Sequence, residues 1–341
     1  MGKPSGASFF VLNMRLLAST VITIFFSTLT VQSSDSPDSL VVMRFGGDCL
    51  LAENYTRATG DSVGIAFAGF DLFATADVAM VNLEGPVTTR GIVAEKPFTF
   101  RMGYRVPTVL KEAGVTIVNI ANNHIFDYGA EGLYDTVEAL DSAGVHHVGA
   151  GRTFDEAHHP ALLERKGKTI AFLGYYGGSE APAATSWLPG VAYRALHLIE
   201  SDIHNAKRNM GANYVVVNFH WGVEKAQYPN DDQITFARAV IDMGADAIVG
   251  HHPHVLQGIE RHKHGVIAYS LGNLIFGGKN RPTHDTTVLE LRFGGEDIKC
   301  EVIPVRVDNW RLQQLSGPPA DSLLSEVRTL SNIFPKSIFI K

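Results

Sequence analysis

Short apolar runs recur along the chain, separated by stretches whose apolar positions repeat every three to four residues. The short runs predict strands at 41–45, 78–81, 116–120, 145–148, 169–176, 214–219, 245–249 and 266–270. The periodic stretches predict helices at 106–113, 133–143, 198–210 and 233–243, and the end of another at 67–73. Regular alternation of the two predicts an α/β fold. Several strand runs are apolar at every position, the mark of strands covered on both faces. The pattern then changes. Residues 286–293 and 299–307 alternate at every second position and predict an antiparallel pair. A Pro-rich break at 316–320 precedes a short helical tail, and no internal repeat is evident.

Polar residues gather where these strands end. The clusters are Gly46-Gly47-Asp48, Asn82-Leu83-Glu84-Gly85-Pro86, Asn122-Asn123-His124 followed by Asp127, His220-Trp221-Gly222-Val223-Glu224, Gly250-His251-His252-Pro253-His254, and Ser270-Leu271-Gly272-Asn273. In α/β sheets the carboxyl ends of parallel strands share one edge, and function concentrates there. Gly250 is expected to let the chain turn, and Pro253 to fix the backbone beyond it. His252 and His254 are two apart and would face the same side of an extended chain. Asp48, Glu84, Asn123, His220, His252 and His254 then form one set of oxygen and nitrogen ligands. Such a set suits zinc, manganese or iron and fits calcium poorly, so one or two divalent transition-metal ions are expected. Asp127 stands three residues after His124, close enough to orient its ring if the segment turns. The competing readings are a His-rich surface loop at 251–254, an Asn that caps the following helix, and a lone structural His220. His146 and His147 read as structural or exposed, His158 and His159 as a surface turn with metal binding the lesser alternative, and His262 and His264 as solvent-facing. The Gly-, Ala-, Pro- and Ser-rich stretch 177–190 lies at the same edge and is expected to be a mobile substrate loop.

Length and charge narrow the class. With 341 residues, 45% of them hydrophobic, one large core is easily filled. The formal charge of -6 is spread along the chain, and no basic stripe marks a nucleic-acid surface. Two cysteines exclude a disulfide scaffold. Lys3 and Arg15 precede the apolar run 16–26, and small residues follow up to Ser33. This predicts a secretory leader at 1–33, with an uncleaved anchor over 9–31 as the alternative. Either places the body of the protein outside the cytoplasm, periplasmic or extracellular. The expected division is leader 1–33, one domain over 40–310, and a tail over 316–341.

The six clusters, in this order and with these neighbours, resemble the CapA family of capsule and poly-γ-glutamate synthesis. That family is a branch of the calcineurin-like metallophosphatase superfamily. The resemblance covers 40–310 and implies a four-layer α/β/β/α sandwich of the metallo-dependent phosphatase type, with metals at one sheet edge. Carried over by position, Asp48 and His254 resemble first-metal ligands. Glu84 stands where a bridging Asp is usual. Asn123, His220 and His252 resemble second-metal ligands, and His124 the acid that protonates a leaving group, with Asp127 beside it. Trp221, Glu224 and Asn273 flank these groups and are the expected substrate contacts. One position departs: the superfamily's first motif is Asp-x-His, and here the third residue is Leu50. The expected function is an exported, metal-dependent protein of capsule or poly-γ-glutamate biogenesis that hydrolyses or transfers an anionic polymer, beside a membrane synthetase. A non-catalytic, polymer-binding assembly or export subunit and a periplasmic phosphodiesterase are the alternatives.

Overall fold

The computed structural model describes residues 39–60, 62–278 and 282–339. The predicted leader lies outside them. In chain order the first elements are β1 (Val41–Leu50), α1 (Asn54–Thr59), β2 (Val78–Leu83), α2 (Val106–Glu112), β3 (Ile117–Asn119), α3 (Gly129–Ala143), β4 (His146–Val148) and β5 (Ala150–Gly151). Next come α4 (Phe154–His158), β6 (Ala161–Arg165), β7 (Lys168–Tyr176), β8 (Gly190–Val191), α5 (Leu196–Arg208), β9 (Tyr214–His220), α6 (Asp231–Asp242) and β10 (Ala247–His251). The chain closes with β11 (Ile259–His262), β12 (Gly265–Ala268), β13 (Asn273–Phe276), β14 (His284–Phe293), β15 (Lys299–Asp308), β16 (Arg311–Gln314) and α7 (Pro318–Ser331).

Two sheets stack face to face. One runs β16-β15-β14-β1-β2-β3-β4, with β13 parallel to the end of β1. The other runs β11-β12-β10-β9-β7-β6. In the first sheet β1 to β4 are parallel; in the second β12, β10, β9 and β7 are. Strand parity sorts the side chains. Met43, Phe45, Val78 and Met80 meet Phe172, Val216 and Val249 between the sheets. Ala79, Val81 and Val118 turn the other way and meet Leu133 and Leu140 of α3. Val215, Val217 and Ile248 meet Ile199 and Ile203 of α5 and Val240 and Ile241 of α6. The order of layers is therefore α/β/β/α, the sandwich expected, and both faces of each central strand are dry. This is why those strands are apolar throughout.

Several local expectations are corrected. Gly46-Gly47 does not end β1, which continues to Leu50 across a register shift between Phe45 and Asp48. The glycine is needed for space: a Cβ on Gly47 would fall 2.0 Å from the carbonyl oxygen of Gly272. Gly250 likewise stays inside β10, where a Cβ would fall 1.9 Å from the carbonyl oxygen of Tyr269. Residues 67–73 form no α-helix; a 3₁₀ turn at Val63–Phe67 and irregular turns take their place. The Pro-rich break is the start of α7, with proline in its first turn, where no intrahelical N–H is lost. This helix packs: Leu323 and Val327 are buried, and the Ser331 hydroxyl accepts from the Ile259 amide at 2.9 Å.

The tight approach at Gly47 carries a prediction. Gly47→Ala forces β1 and the 271–272 segment apart, an overpacking that typically costs ~1–3 kcal/mol, with backbone as the obstacle placing it at the upper end. The urea midpoint of unfolding should fall accordingly. An unchanged midpoint would show that the two segments are not held this closely.

Candidate metal centre

The carboxyl ends of β1, β2, β3, β9 and β10 bring the predicted ligands to one place. Asp48 lies near the end of β1, and Glu84 directly follows β2. Asn123 and His124 follow β3, His220 closes β9, and His252 follows β10. The extended-chain argument for His252 and His254 does not hold. Their φ angles are 95° and 57°, in the left-handed region that side chains disfavour. Backbone held there costs on the order of 1–3 kcal/mol and persists where surrounding contacts enforce it. Here the enforcement is visible: the His252 amide donates to Asp48 Oδ2 at 3.3 Å, and His254 Nδ1 lies 2.9 Å from Asn273 Oδ1.

Two ligand groups result. In the first, His254 Nδ1 is 3.2 Å from Asp48 Oδ2, and His254 Nε2 is 3.5 Å from Glu84 Oε1. In the second, His220 Nε2 is 2.9 Å from Asn123 Oδ1 and 3.1 Å from His252 Nδ1. Glu84 Oε1 stands between them, 3.9 Å from His220 Nε2. It is buried and has no hydrogen-bond partner. An orphaned carboxylate oxygen facing two imidazoles is costly as it stands. Two donors each ~2.1 Å from one ion at a tetrahedral angle lie ~3.4 Å apart, so these spacings fit a shared divalent ion. The residues present therefore fit one or two transition-metal ions. A further grouping joins exposed Glu224 to His252 and His254 at the mouth.

The electrostatics agree with ligand duty. Burial raises the Asp48 carboxyl, but the hydrogen bond and charge of His254 outweigh it and leave Asp48 below the ordinary range. Burial, then the neighbouring Asp48 charge, pushes Glu84 well above its usual value. Burial and the other imidazoles hold His220 well below its usual value, and burial lowers His252. Neutral imidazoles are the form that binds metal.

His124 is placed apart from the ligands. Its Nδ1 meets Asp127 Oδ2 at 2.7 Å, and its ring packs on Phe100 at 4.6 Å between centroids. The turn that brings them together is built by Asn122, whose Oδ1 accepts from the His124 amide at 3.1 Å. The helix-capping alternative fails: α3 begins at Gly129, and no side chain caps it. Two other expectations are corrected. Trp221 is 2% exposed, stacks on Phe219 and donates to the Tyr269 carbonyl at 3.1 Å, so it is core and not a substrate contact. Asn273 is buried and turns its amide oxygen onto His254, so it orients that ring. Leu50 is fully buried in the helix-side core. Of the remaining histidines, His158 is buried against Asp202 at 2.7 Å, and His262 meets Asp242 at 3.0 Å.

Four residues of the centre are given no role by the sequence pattern. Asn82 sends its amide to Asp48 Oδ1 at 2.9 Å and to Glu84 Oε2 at 3.3 Å, and lies 3.2 Å from His220 Nδ1. Asn119 in turn donates to Asn82 Oδ1 at 2.9 Å. Their only signal in the sequence is a place at the polar end of an apolar strand. Lys96 places its ammonium 2.6 Å from Asp127 Oδ1 and 2.7 Å from the Asn123 carbonyl. It comes from the irregular segment between β2 and α2, where no pattern points to it. His251 pairs in register with His220, so both face the space between the sheets. Its ring is buried with both nitrogens unpartnered, Nδ1 3.7 Å from Asp48 Oδ1, and burial lowers it to about 4.

Known proteins share this chain's sequence over most of its length. The description "Bacterial capsule synthesis protein PGA_cap" matches residues 42–278, which include all six clusters. The chain belongs to the PGA_cap family. It is 39% identical over 224 residues to the capsule biosynthesis protein CapA of Bacillus anthracis, covering 64% of this chain and 53% of that protein. It is 34% identical over 278 residues to the PGA biosynthesis protein CapA of Bacillus subtilis, covering 79% and 72%. The chain thus spans about half the length of the first relative and most of the second. Among solved structures, a hypothetical protein from Thermus thermophilus aligns with a TM-score of 0.49 and 18% identity, over 77% of this chain and 99% of that one. The family's description is one of capsule synthesis, and the strand-end clusters are where this chain gathers its His, Asp, Glu and Asn side chains.

Proposed function

We propose that the chain is an exported, metal-dependent protein that hydrolyses or transfers the anionic polymer of a poly-γ-glutamate-type capsule, working beside the synthetase that makes it. The observation that carries this reading is the orphaned Glu84 Oε1, buried between the two ligand groups. Asp48, Glu84 and His254 would hold one ion, and Asn123, His220 and His252 the other. Bound there, a divalent ion supplies Lewis acidity at the bond to be broken. The chain's own residues do the rest. Asp127 takes the Nδ1 side of His124, which leaves Nε2 with no protein partner among the described residues. His124 is then placed to hand a proton to the leaving group. Phe98, Phe100 and Phe276 wall the cavity that His124 lines and reduce the water in it. Export rests on the predicted leader; among the described residues no helix is long and apolar enough to cross a membrane.

A second reading, a polymer-binding assembly subunit that holds metal without chemistry, is favoured by Leu50. That side chain is core where the superfamily's motif has an imidazole. One experiment separates the two. Metal content and cleavage of purified poly-γ-glutamate are measured for the wild-type chain and His252→Ala. At least one equivalent of metal in the wild type, less in the variant, and polymer shortening that follows metal content are expected. Full occupancy in both would remove His252 from the centre. A metal-loaded wild type that binds polymer and never shortens it would leave the assembly subunit.

A further inference from the structure

Three cavities meet along the metal edge. The middle one, about 210 Å³, is lined by Phe98, Phe100, His124, Glu224, His254 and Phe276, with Lys225 at its side. Phe98 and Phe100 also wall a second cavity of about 230 Å³, which reaches Glu53 and Asn54 at the start of α1. Lys225 and His254 also wall a third, about 460 Å³, which reaches His284 and Asp285 of β14 and Glu326 of α7. The shared wall residues set the three side by side as a groove of adjoining depressions, and the His124–His254 edge lies part-way along it, not at a blind end. Separately, the two smaller cavities fall below the ~300–1,000 Å³ of sites that enclose a drug-sized ligand; joined, the three lie within that range.

We infer that this groove holds an unbranched polyamide chain threaded across the centre, so that the bond acted on is internal and not at the chain's end. The inference rests on the polymer reading above. An end-acting site would need a wall just past the reacting bond, and the groove continues there on both sides. Charge along the groove is uneven. Lys225 stands at the middle with no ion-pair partner among the described residues, ready for one pendant carboxylate. Asp285 is taken by Arg306 at 2.5 and 2.9 Å, while Glu53 and Glu326 stand exposed at the two outer ends. Recognition at the limbs therefore falls to the polyamide backbone and to shape.

The test uses the full chain, metal-loaded, in a His124→Asn background so that little substrate is consumed during the titration. Binding of a γ-glutamyl trimer and a γ-glutamyl decamer is compared by calorimetry. The decamer should bind more tightly by about tenfold or more, since it gains both limbs. Glu326→Trp, at an exposed position, fills the α7 limb. It should bring the decamer to the trimer's affinity and leave the trimer unchanged. Glu326→Gln keeps the space and removes the charge, and should bind the decamer at least as well as before. Removing a carboxylate alone favours a polyanion, so a loss with Trp and none with Gln reports filled space. Equal affinity of trimer and decamer, or a Trp variant that binds the decamer normally, overturns the threaded groove. Binding of neither oligomer at any accessible concentration overturns the polymer reading itself, a different result from either.

Discussion

His124→Asn is expected to slow polymer cleavage by ~10²–10⁴-fold, the usual cost of removing a general acid, while metal content and melting temperature stay near wild type. The geometry separates the two readouts. His124 makes none of the short contacts that join Asp48, Glu84, Asn123, His220, His252 and His254, so its removal takes no ligand away. The expected partner variant, Asp127→Ala, is not a clean probe. Asp127 also accepts from the Phe100 amide at 2.6 Å and pairs with the Lys96 ammonium at 2.6 Å, and it is fully buried. Its loss leaves the buried Phe100 amide unpaired, at ~1–3 kcal/mol, and takes from Lys96 its closest carboxylate while the Asn123 carbonyl still accepts from it. Both stability and rate should fall. Lys96→Met offers a sharper test of orientation, because it frees one oxygen of Asp127 and the Asn123 carbonyl while His124 keeps its partner. It should slow turnover less than His124→Asn does, and Lys96→Arg should restore part of the loss. A folded, metal-loaded His124→Asn protein that cleaves polymer at the wild-type rate would end the proton-transfer role.

The layer order was legible because the apolar strands and the periodic helices announce themselves locally. What the linear pattern misjudged was every feature set by a second segment. Gly47 and Gly250 looked like turn residues, and they are close-approach residues inside strands, facing the carbonyls of Gly272 and Tyr269. His252 and His254 converge, but through left-handed backbone that contacts with Asp48 and Asn273 enforce, not through the two-residue period of a strand. Trp221 looked like a substrate contact because it follows His220; the next residue along from β9 points to the opposite face, into the α5–α6 core. Lys96 left no trace, since its segment has no periodicity and its partners lie 27 and 31 residues ahead. Asn82 and His251 were visible as polar residues in the right clusters. Their burial beneath the ligands depends on the second sheet lying over the first.

Glu84→Gln should change stability in opposite directions with and without metal, and this is the largest effect expected on folding. Without metal, Glu84 is a fully buried acid whose Oε1 has no partner and whose neighbour Asp48 carries like charge. Its carboxyl is pushed well above the usual range by that burial, so the unfolded chain ionises it more readily than the folded one. Near neutral pH this difference favours unfolding. Glutamine keeps the shape and cannot ionise, so the chelated variant should melt higher than the chelated wild type. With metal the order reverses. A ligand that binds only the folded state adds RT ln(1 + [L]/Kd), about 4 kcal/mol at a free concentration ~1,000 times Kd. The wild type should gain on that scale when zinc or manganese is added. The variant, with a neutral amide between the two groups, should gain far less. Melting curves of both proteins, each with excess chelator and with saturating metal, give four values and one crossing. Parallel shifts, with the variant gaining as much from metal as the wild type, would show that Glu84 is not between the ions. A chelated variant that melts below the chelated wild type would show that its carboxyl is satisfied in the folded protein by something other than metal.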